Sequence, residues 1–329
     1  MSVKFKWLDF KITNRCNNAC KYCQGHNDSL EAPEKLSFKT IKETLLDALD
    51  ASFNFFCFLG GEPSIRENIV DIINILKNKR DIHLRLITNL KIFRKEMYEA
   101  LFETKSIDAE VVASFENFSF PNYKKVDPKL SMIRIEKIKN IADKYQENFN
   151  NLKKRAISIH SVISRENFFK IGKFVEYYFD RGIEVTLGLV CPSNFTDNPQ
   201  YYNDFTKTEI LDVMKQLNEL EKKGKLCFAN EVLRDFLKIY SFGDFSHKKN
   251  CWGGKKEIII NSDGEVYPCI SESYFSPRKF GNIKDERFST ILQKLQDFKC
   301  SMDPHSACWD HFLWDKLAKK LEVDENGKL

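Results

Sequence analysis

No stretch of this 329-residue sequence is apolar for long enough to cross a bilayer, and no export signal precedes its first cysteine. The start, MSVKFKWLDF, reads as a strand. A membrane anchor or a secreted, disulfide-built domain is therefore not expected, and the ten cysteines point to a reducing, cytoplasmic compartment. Charge of one sign is also scarce. Against 52 basic side chains stand 47 acidic ones, a formal +5, with no arginine-rich tract and no nucleic-acid fold signature. That balance suits an anionic partner and does not call for nucleic acid. At 42% hydrophobic and 30% charged residues, the composition fits one large domain and a smaller one with a sizeable core. Phenylalanine, at 28, is over-used and falls mostly in strand and helix patterns as core.

Three cysteines, Cys16, Cys20 and Cys23, follow the strand-like run Phe5–Thr13 at Cys-x3-Cys-x2-Cys spacing. Thiolates packed this densely in such a chain point to metal rather than to disulfides. Three local thiolates can hold three irons of a cubane cluster and leave the fourth iron open to a chelating ligand. A structural zinc site is the alternative, though zinc prefers paired Cys-x2-Cys or Cys/His spacing and four protein ligands. Some forty residues on, the apolar run Phe53–Leu59 ends in Gly60-Gly61-Glu62-Pro63. Two glycines let the backbone approach a ligand, Glu62 can receive an ammonium group, and Pro63 stiffens the turn into the next helix. Alone, a Gly-Gly turn is most often a strand-to-helix connection.

Together the two motifs closely resemble the radical S-adenosylmethionine (radical SAM) superfamily. The resemblance implies that Cys16, Cys20 and Cys23 hold a [4Fe–4S] cluster and that the Gly60–Pro63 segment binds the amino group of the SAM methionine. It also implies that Tyr22, the aromatic residue just before the last cysteine, packs near the adenine. His26, just beyond, reads as a solvated loop residue.

Strand-like runs at Phe5–Thr13, Phe53–Leu59, Ile82–Thr88, Asp108–Phe115, Ala156–Ile163 and Glu184–Val190 alternate with amphipathic stretches. These lie at Ser37–Ala51, Ile65–Lys79, Phe93–Glu103, Ile133–Phe149 and Asn167–Arg181, with Ser37 as an N-cap. Such alternation predicts an α/β fold with a parallel sheet. The resemblance sharpens this to a partial (β/α)6 radical SAM barrel, with ligands at the C-terminal strand ends. Thr88-Asn89 follows the third strand where the family commonly shows Thr-Asn-Gly, here with Leu90 in place of the glycine. Ser114 and Glu116 end the fourth strand, and Ser161 and Asn167 bracket the end of the fifth. The resemblance offers Asn89, Ser114 and Asn167 as SAM contacts; each could equally be a turn or cap residue.

After Cys191-Pro192-Ser193-Asn194, helices are predicted at Lys207–Lys223 and Glu231–Tyr240. Then come Cys251, a β-rich run Glu257–Asn261, a turn at Ser262-Asp263-Gly264, and Val266 to Cys269, a hairpin signal that brings Cys251 and Cys269 together. Gly264 followed by Cys269, and Gly281-Asn282-Ile283 before a helix at Glu286–Phe298, resemble the SPASM/twitch extension of radical SAM enzymes. With Cys300 and Cys308 the four thiols suit one auxiliary [4Fe–4S] cluster, a small α+β twitch-like domain. The same four could build a zinc knuckle. Cys57 and Cys227 read as small apolar packing, Cys191 as facing the pocket. Expected boundaries are 1–205 for the barrel, 206–250 for a helical linker region and 251–329 for the auxiliary domain.

The resemblance implies an enzyme that cleaves SAM reductively to a 5′-deoxyadenosyl radical and takes hydrogen from a substrate. A peptide undergoing oxidation, cross-linking or epimerisation is the first expectation; a small molecule such as an aminosugar alcohol is the alternative. A reducing donor such as flavodoxin or ferredoxin is the implied partner. An iron–sulfur carrier or sensor would not need Gly60–Pro63, and a zinc-stabilised RNA-binding module explains neither that turn nor the strand–helix alternation. Ile270 stands where sulfatase-maturing relatives carry an aspartate base, with Glu272 two further on, which disfavours that activity. The barrel is expected to begin almost at Met1, without the leader-binding domain of many peptide-modifying relatives. No catalytic acid or base is assigned from the sequence.

Overall fold

The structure, a computed structural model, describes residues 6–20, 23, 28–106, 108–114, 128–145, 156–165, 167–189, 205–242, 253–275 and 278–299. Tyr22, His26, Glu116, Cys191, Cys251, Cys300 and Cys308 lie outside the described residues.

Six strands run parallel in chain order: β1 (Trp7–Thr13), β2 (Phe55–Gly60), β3 (His83–Thr88), β4 (Asp108–Ser114), β5 (Ile157–Ile163) and β6 (Glu184–Leu189). Each lies within a residue or two of its predicted run. The side chains obey the two-residue period of a strand. In β1, Leu8, Phe10 and Ile12 are fully buried while Trp7, Asp9 and Lys11 on the other face are only partly so. The apolar face meets the helices α1 (Phe38–Asp50), α2 (Ile69–Ile75), α3 (Lys95–Glu103), α4 (Pro128–Lys144) and α5 (Ile171–Phe179). Burying each phenylalanine of this layer (Phe10, Phe56, Phe58, Phe102) contributes about 2–3 kcal/mol. The opposite, concave face is lined by charged, hydroxyl and aromatic groups. This is a partial (β/α)6 barrel.

Ser37 caps α1 as expected, its Oγ accepting from the Thr40 N–H at 3.0 Å. The stretch predicted as one helix over Ile65–Lys79 is shorter. A 3-10 turn at Pro63–Ile65 comes first, and extended backbone at Arg66 separates it from α2. Arg66 leaves the helical path because its buried guanidinium donates to Ile12 O, to Leu36 O at 2.8 Å and to Glu34 at 3.0 Å. Similarly, α5 begins about one turn into its predicted stretch, after a 3-10 turn at Phe168–Lys170. Helix α4 starts earlier than predicted, at Pro128, where a missing N–H costs nothing.

Beyond the six strands, α6 (Lys207–Lys222) opens with a capping box between Thr206 and Glu209, and α7 (Phe228–Phe242) follows. Asn230 ties α7 to the barrel, accepting from the Leu187 N–H at 2.8 Å and donating to Val185 O at 2.8 Å. The predicted hairpin forms from β7 (Glu257–Ile260) and β8 (Glu265–Tyr267), with Gly264 at φ +92° in the turn. Helix α8 (Ile270–Phe275), β9 (Gly281–Asn282) and α9 (Phe288–Leu295) complete the described C-terminal part. This hairpin extends the barrel sheet: β7 lies parallel beside β1, and the order is β6-β5-β4-β3-β2-β1-β7-β8-β9. Helix α9 packs on α1, where Arg287 and the Ser289 N–H both donate to Asp47 and hold its carboxyl below the usual range. Among the described residues no helix is long and apolar enough to cross a membrane.

Leu90 replaces the glycine that follows Thr88-Asn89 in the resembling family, and its backbone adopts φ +56°. Left-handed backbone costs a leucine about 1–2 kcal/mol. Its side chain, however, is fully buried, and losing it costs about 2–5 kcal/mol. Burial outweighs strain, so Leu90→Gly is predicted to lower the urea midpoint by a net loss of about 1–3 kcal/mol. A stabilised variant would show that strain dominates.

Candidate functional site at the strand ends

The ends of β1, β2 and β3 are bound to one another by backbone and one carboxylate. Gly60 sits at φ +152°, and a Cβ there would stand 2.2 Å from Thr13 O; at Gly61 it would stand 2.2 Å from Arg15 O. Any larger residue would push β2 off the cysteine loop. The close approach that requires glycine in the structure is to the backbone of β1 and the residue just beyond it. Gly61 N–H donates to Thr13 O at 2.9 Å and Glu62 N–H to Arg15 O at 2.8 Å. Pro63 is buried and opens the 3-10 turn, so it shapes the segment from behind.

Glu62 is fully buried. Its carboxylate accepts from the Ser64 N–H at 3.0 Å, the Thr88 hydroxyl at 2.6 Å and the Asn89 N–H at 2.7 Å. No cation pairs with it among the described residues. Burial therefore pushes its pKa above the ordinary carboxylate range, against the opposing pull of these hydrogen bonds. A carboxylate has about four acceptor positions, so one is left after three donors. The amino group of SAM would fit this place, because its N–H groups would bring the missing donor.

Asn89 carries the connection to the cysteines. Its Nδ2 donates to Asn17 Oδ1 at 2.8 Å and lies 3.9 Å from Cys16 Sγ. Lys91 donates to Asn18 Oδ1 at 2.6 Å, and Asn18 Nδ2 donates to Cys20 Sγ at 3.0 Å. The Cys23 N–H donates to Cys20 O at 3.0 Å. Cys16, Cys20 and Cys23 form no disulfide and are half-buried, and burial pushes the Cys16 thiol up to about 11. Metal binding would have to displace that proton. No three His, Cys, Asp or Glu side chains among the described residues are gathered to hold one common metal ion. Three soft sulfurs on one loop, each for its own iron, fit an iron–sulfur cluster.

The other expected contacts divide. Ser114 ends β4, half-exposed on the concave face. Asn167 is buried, its Oδ1 accepting from the Ser164 N–H and its Nδ2 donating to Val162 O, both at 2.8 Å. Its side chain holds the turn after β5. Cys269 is buried, and Cys57 lies on the concave face beside Asp9 and Arg85 rather than in the apolar layer. Three contributors escaped sequence reasoning: Arg66, which holds the β1 end; Lys91, which reaches the cysteine loop; and the concave-face pair Arg85–Glu110, joined at 3.0 Å. The legible signal was the alternating polar pairs His83 and Arg85, Asp108 and Glu110, and Ser158 and His160 in β3 to β5.

An unfolded glutamate ionises near 4.5, whereas the native Glu62 carboxyl holds its proton to higher pH. Between these values the native state binds more protons, so its stability falls as pH rises through that window. Glu62→Gln is predicted to flatten this part of the stability–pH curve, measured by urea midpoints without SAM. Equal slopes in variant and wild type would contradict the assignment.

Residues 10–178 match the family model of the Radical SAM superfamily, and residues 251–310 match SPASM, an iron–sulfur cluster-binding domain. Among curated proteins, the tungsten-containing aldehyde ferredoxin oxidoreductase cofactor-modifying protein of Pyrococcus furiosus is 25% identical over 302 residues, covering 87% of this chain and 80% of the relative. Among solved structures, anSMEcpe with bound AdoMet and the Kp18Cys peptide superposes with a TM-score of 0.62 at 15% identity, covering 98% of this chain and 99% of that one. SuiB of Streptococcus suis bound to precursor peptide SuiA gives 0.61 at 15% identity, with coverages of 95% and 72%. With more than half its length matched by the superfamily model, the chain belongs to the radical SAM superfamily, with an iron–sulfur cluster-binding SPASM region C-terminal to the barrel.

Proposed function

We propose that this radical SAM enzyme modifies a peptide. We assign Cys16, Cys20 and Cys23 to the SAM-binding [4Fe–4S] cluster, and Glu62 with the Gly60-Gly61 backbone to the methionine end of SAM. Asn89 and Ser114 flank that position, and Tyr22 is assigned to the adenine. The observation that carries the assignment is the buried Glu62 carboxylate without a cation, linked through Asn89 to the cysteine loop. When bound, cluster and SAM supply a 5′-deoxyadenosyl radical that takes hydrogen from carbon. The chain's own work is placement: Glu62 and Asn89 would orient the methionine end of SAM beside the cysteine loop.

At the C-terminal end we assign Cys251, Cys269, Cys300 and Cys308 to one auxiliary [4Fe–4S] cluster, within a region taken as 251–329 after the 1–205 barrel and the 206–250 helices. Four thiolates leave no open iron, so electron transfer is its role, which favours oxidation or a cross-link that loses two hydrogens. A reducing donor such as flavodoxin or ferredoxin supplies the first electron. The peptide reading is supported by likeness in fold to two proteins solved with peptides and by the formal +5 charge, which suits acidic segments. A compact polar metabolite is the second reading, favoured by the charged Arg85–Glu110 pair on the concave face.

Replacing Cys16, Cys20 and Cys23 together with Ala should remove one cluster's iron and abolish 5′-deoxyadenosine formation. Replacing the four C-terminal thiols should halve the iron and leave SAM cleavage measurable. Reductive cleavage by the first variant, or stoichiometric zinc in the wild type, would overturn these assignments. A deuterated peptide encoded beside the gene should pass label into 5′-deoxyadenosine. Label arriving from a small metabolite, with no competition by the peptide, would move the assignment to the second reading.

A further inference from the structure

The concave face of β3 to β6 carries polar groups outside the strand-end site. Arg85 pairs with Glu110 through two 3.0 Å contacts, Ser158 donates to Glu110 at 2.6 Å, and the Arg85 guanidinium lies over the rings of Trp7 and Phe55. These groups satisfy one another. His160, two residues beyond Ser158 on β5, differs. In register it lies between Ser114 on β4 and Thr186 on β6, level with the proposed SAM position.

Its Nδ1 lies 3.0 Å from Thr186 Oγ1, and that hydroxyl donates its own proton to Ile159 O at 3.2 Å. The hydroxyl therefore accepts from Nδ1–H, which leaves the lone pair on Nε2. Nε2 has no hydrogen-bond partner among the described residues. Gly188 on β6 makes room for the ring, since a Cβ there would stand 2.8 Å from Nε2. The side chain is half-buried on β5, second from the β6 edge of the sheet, on the face opposite Ile157 and Ile159 of the apolar layer. Burial, and then the Arg85 charge, push the imidazole down to about 4, so it is neutral near pH 7. An imidazole serving only as packing would cost more to desolvate than an aliphatic side chain in the same space.

We propose that His160 orients the substrate in the barrel lumen, its Nε2 accepting a hydrogen bond from an O–H or N–H group on the carbon that loses hydrogen. The proposal rests on the reading that this lumen receives the substrate. A peptide backbone N–H beside its Cα and a carbinol or amine of a small molecule present the same chemistry.

The test uses holoenzyme and has two arms. Diethyl pyrocarbonate acylates a neutral, unpartnered imidazole nitrogen. Brief exposure at neutral pH, followed by peptide mass spectrometry, should find His160 modified, and saturating SAM should slow that modification several-fold by filling the same lumen. His160 left intact while other histidines react, or modified equally fast with SAM present, overturns the proposal. In the second arm, His160→Phe and His160→Gln are compared for deuterium transfer from the labelled peptide, with iron content as the control for folding. Phe should lower transfer about ten-fold, the kinetic equivalent of one lost hydrogen bond, and Gln, which returns an acceptor oxygen near the Nε2 position, should restore most of it. Wild-type transfer by the Phe variant overturns the proposal. If the wild type itself takes no label from the peptide, the peptide reading fails, while the acylation arm still decides whether His160 Nε2 opens into the lumen that SAM fills.

Discussion

The carboxylate of Glu62 is the interaction on which the rest of the site depends. It stands at the end of β2 and accepts from the Thr88 hydroxyl and the Asn89 N–H at the end of β3, while its own N–H reaches Arg15 beyond β1. Three strand ends are thereby fixed to one anionic group in a place water does not reach. A buried charge with no counter-charge is costly, and proteins keep one where a ligand supplies the partner. The glycines before it serve the same end, since only residues without a Cβ let β2 close on the β1 backbone.

Around this group the chain is layered. Behind it, the buried Arg66 secures Ile12 O and Leu36 O and so anchors the β1 end from which the cysteine loop departs. Above it, Asn89, Asn17, Asn18 and Lys91 brace that loop by hydrogen bonds from a rigid strand end. On the concave face lie the Arg85–Glu110 pair and, level with the strand ends on β5, the half-buried His160 imidazole. The proposed cofactor and substrate contacts thus share the C-terminal part of the same sheet.

Most of this frame was legible in the sequence. Six strands, the cap at Ser37, the helices after residue 206 and the hairpin around Gly264 all follow from periodicity and turn chemistry, which are local. Elements failed where a distant partner decided the local backbone. Arg66 broke a predicted helix because carbonyls from β1 and the loop before α1 claim its side chain. The hairpin near the C-terminus was foreseen, yet its parallel pairing with β1 was not, since strand order is non-local. Glu62 was identified, but its role in joining β2 to β3 required knowing that Thr88 and Asn89 lie beside it.

Cys16, Cys20 and Cys23, as we propose, would hold a cluster whose open iron takes the SAM amino group beside the buried Glu62 carboxylate. Electron–nuclear double resonance on the reduced holoenzyme, with SAM labelled by 15N at the methionine amino group, tests it most directly. The account predicts a 15N coupling that marks the amino group on the cluster, shifted or lost in Glu62→Gln at unchanged iron content. No coupling in the wild type at saturating SAM, or an unaltered coupling in the variant, would contradict it.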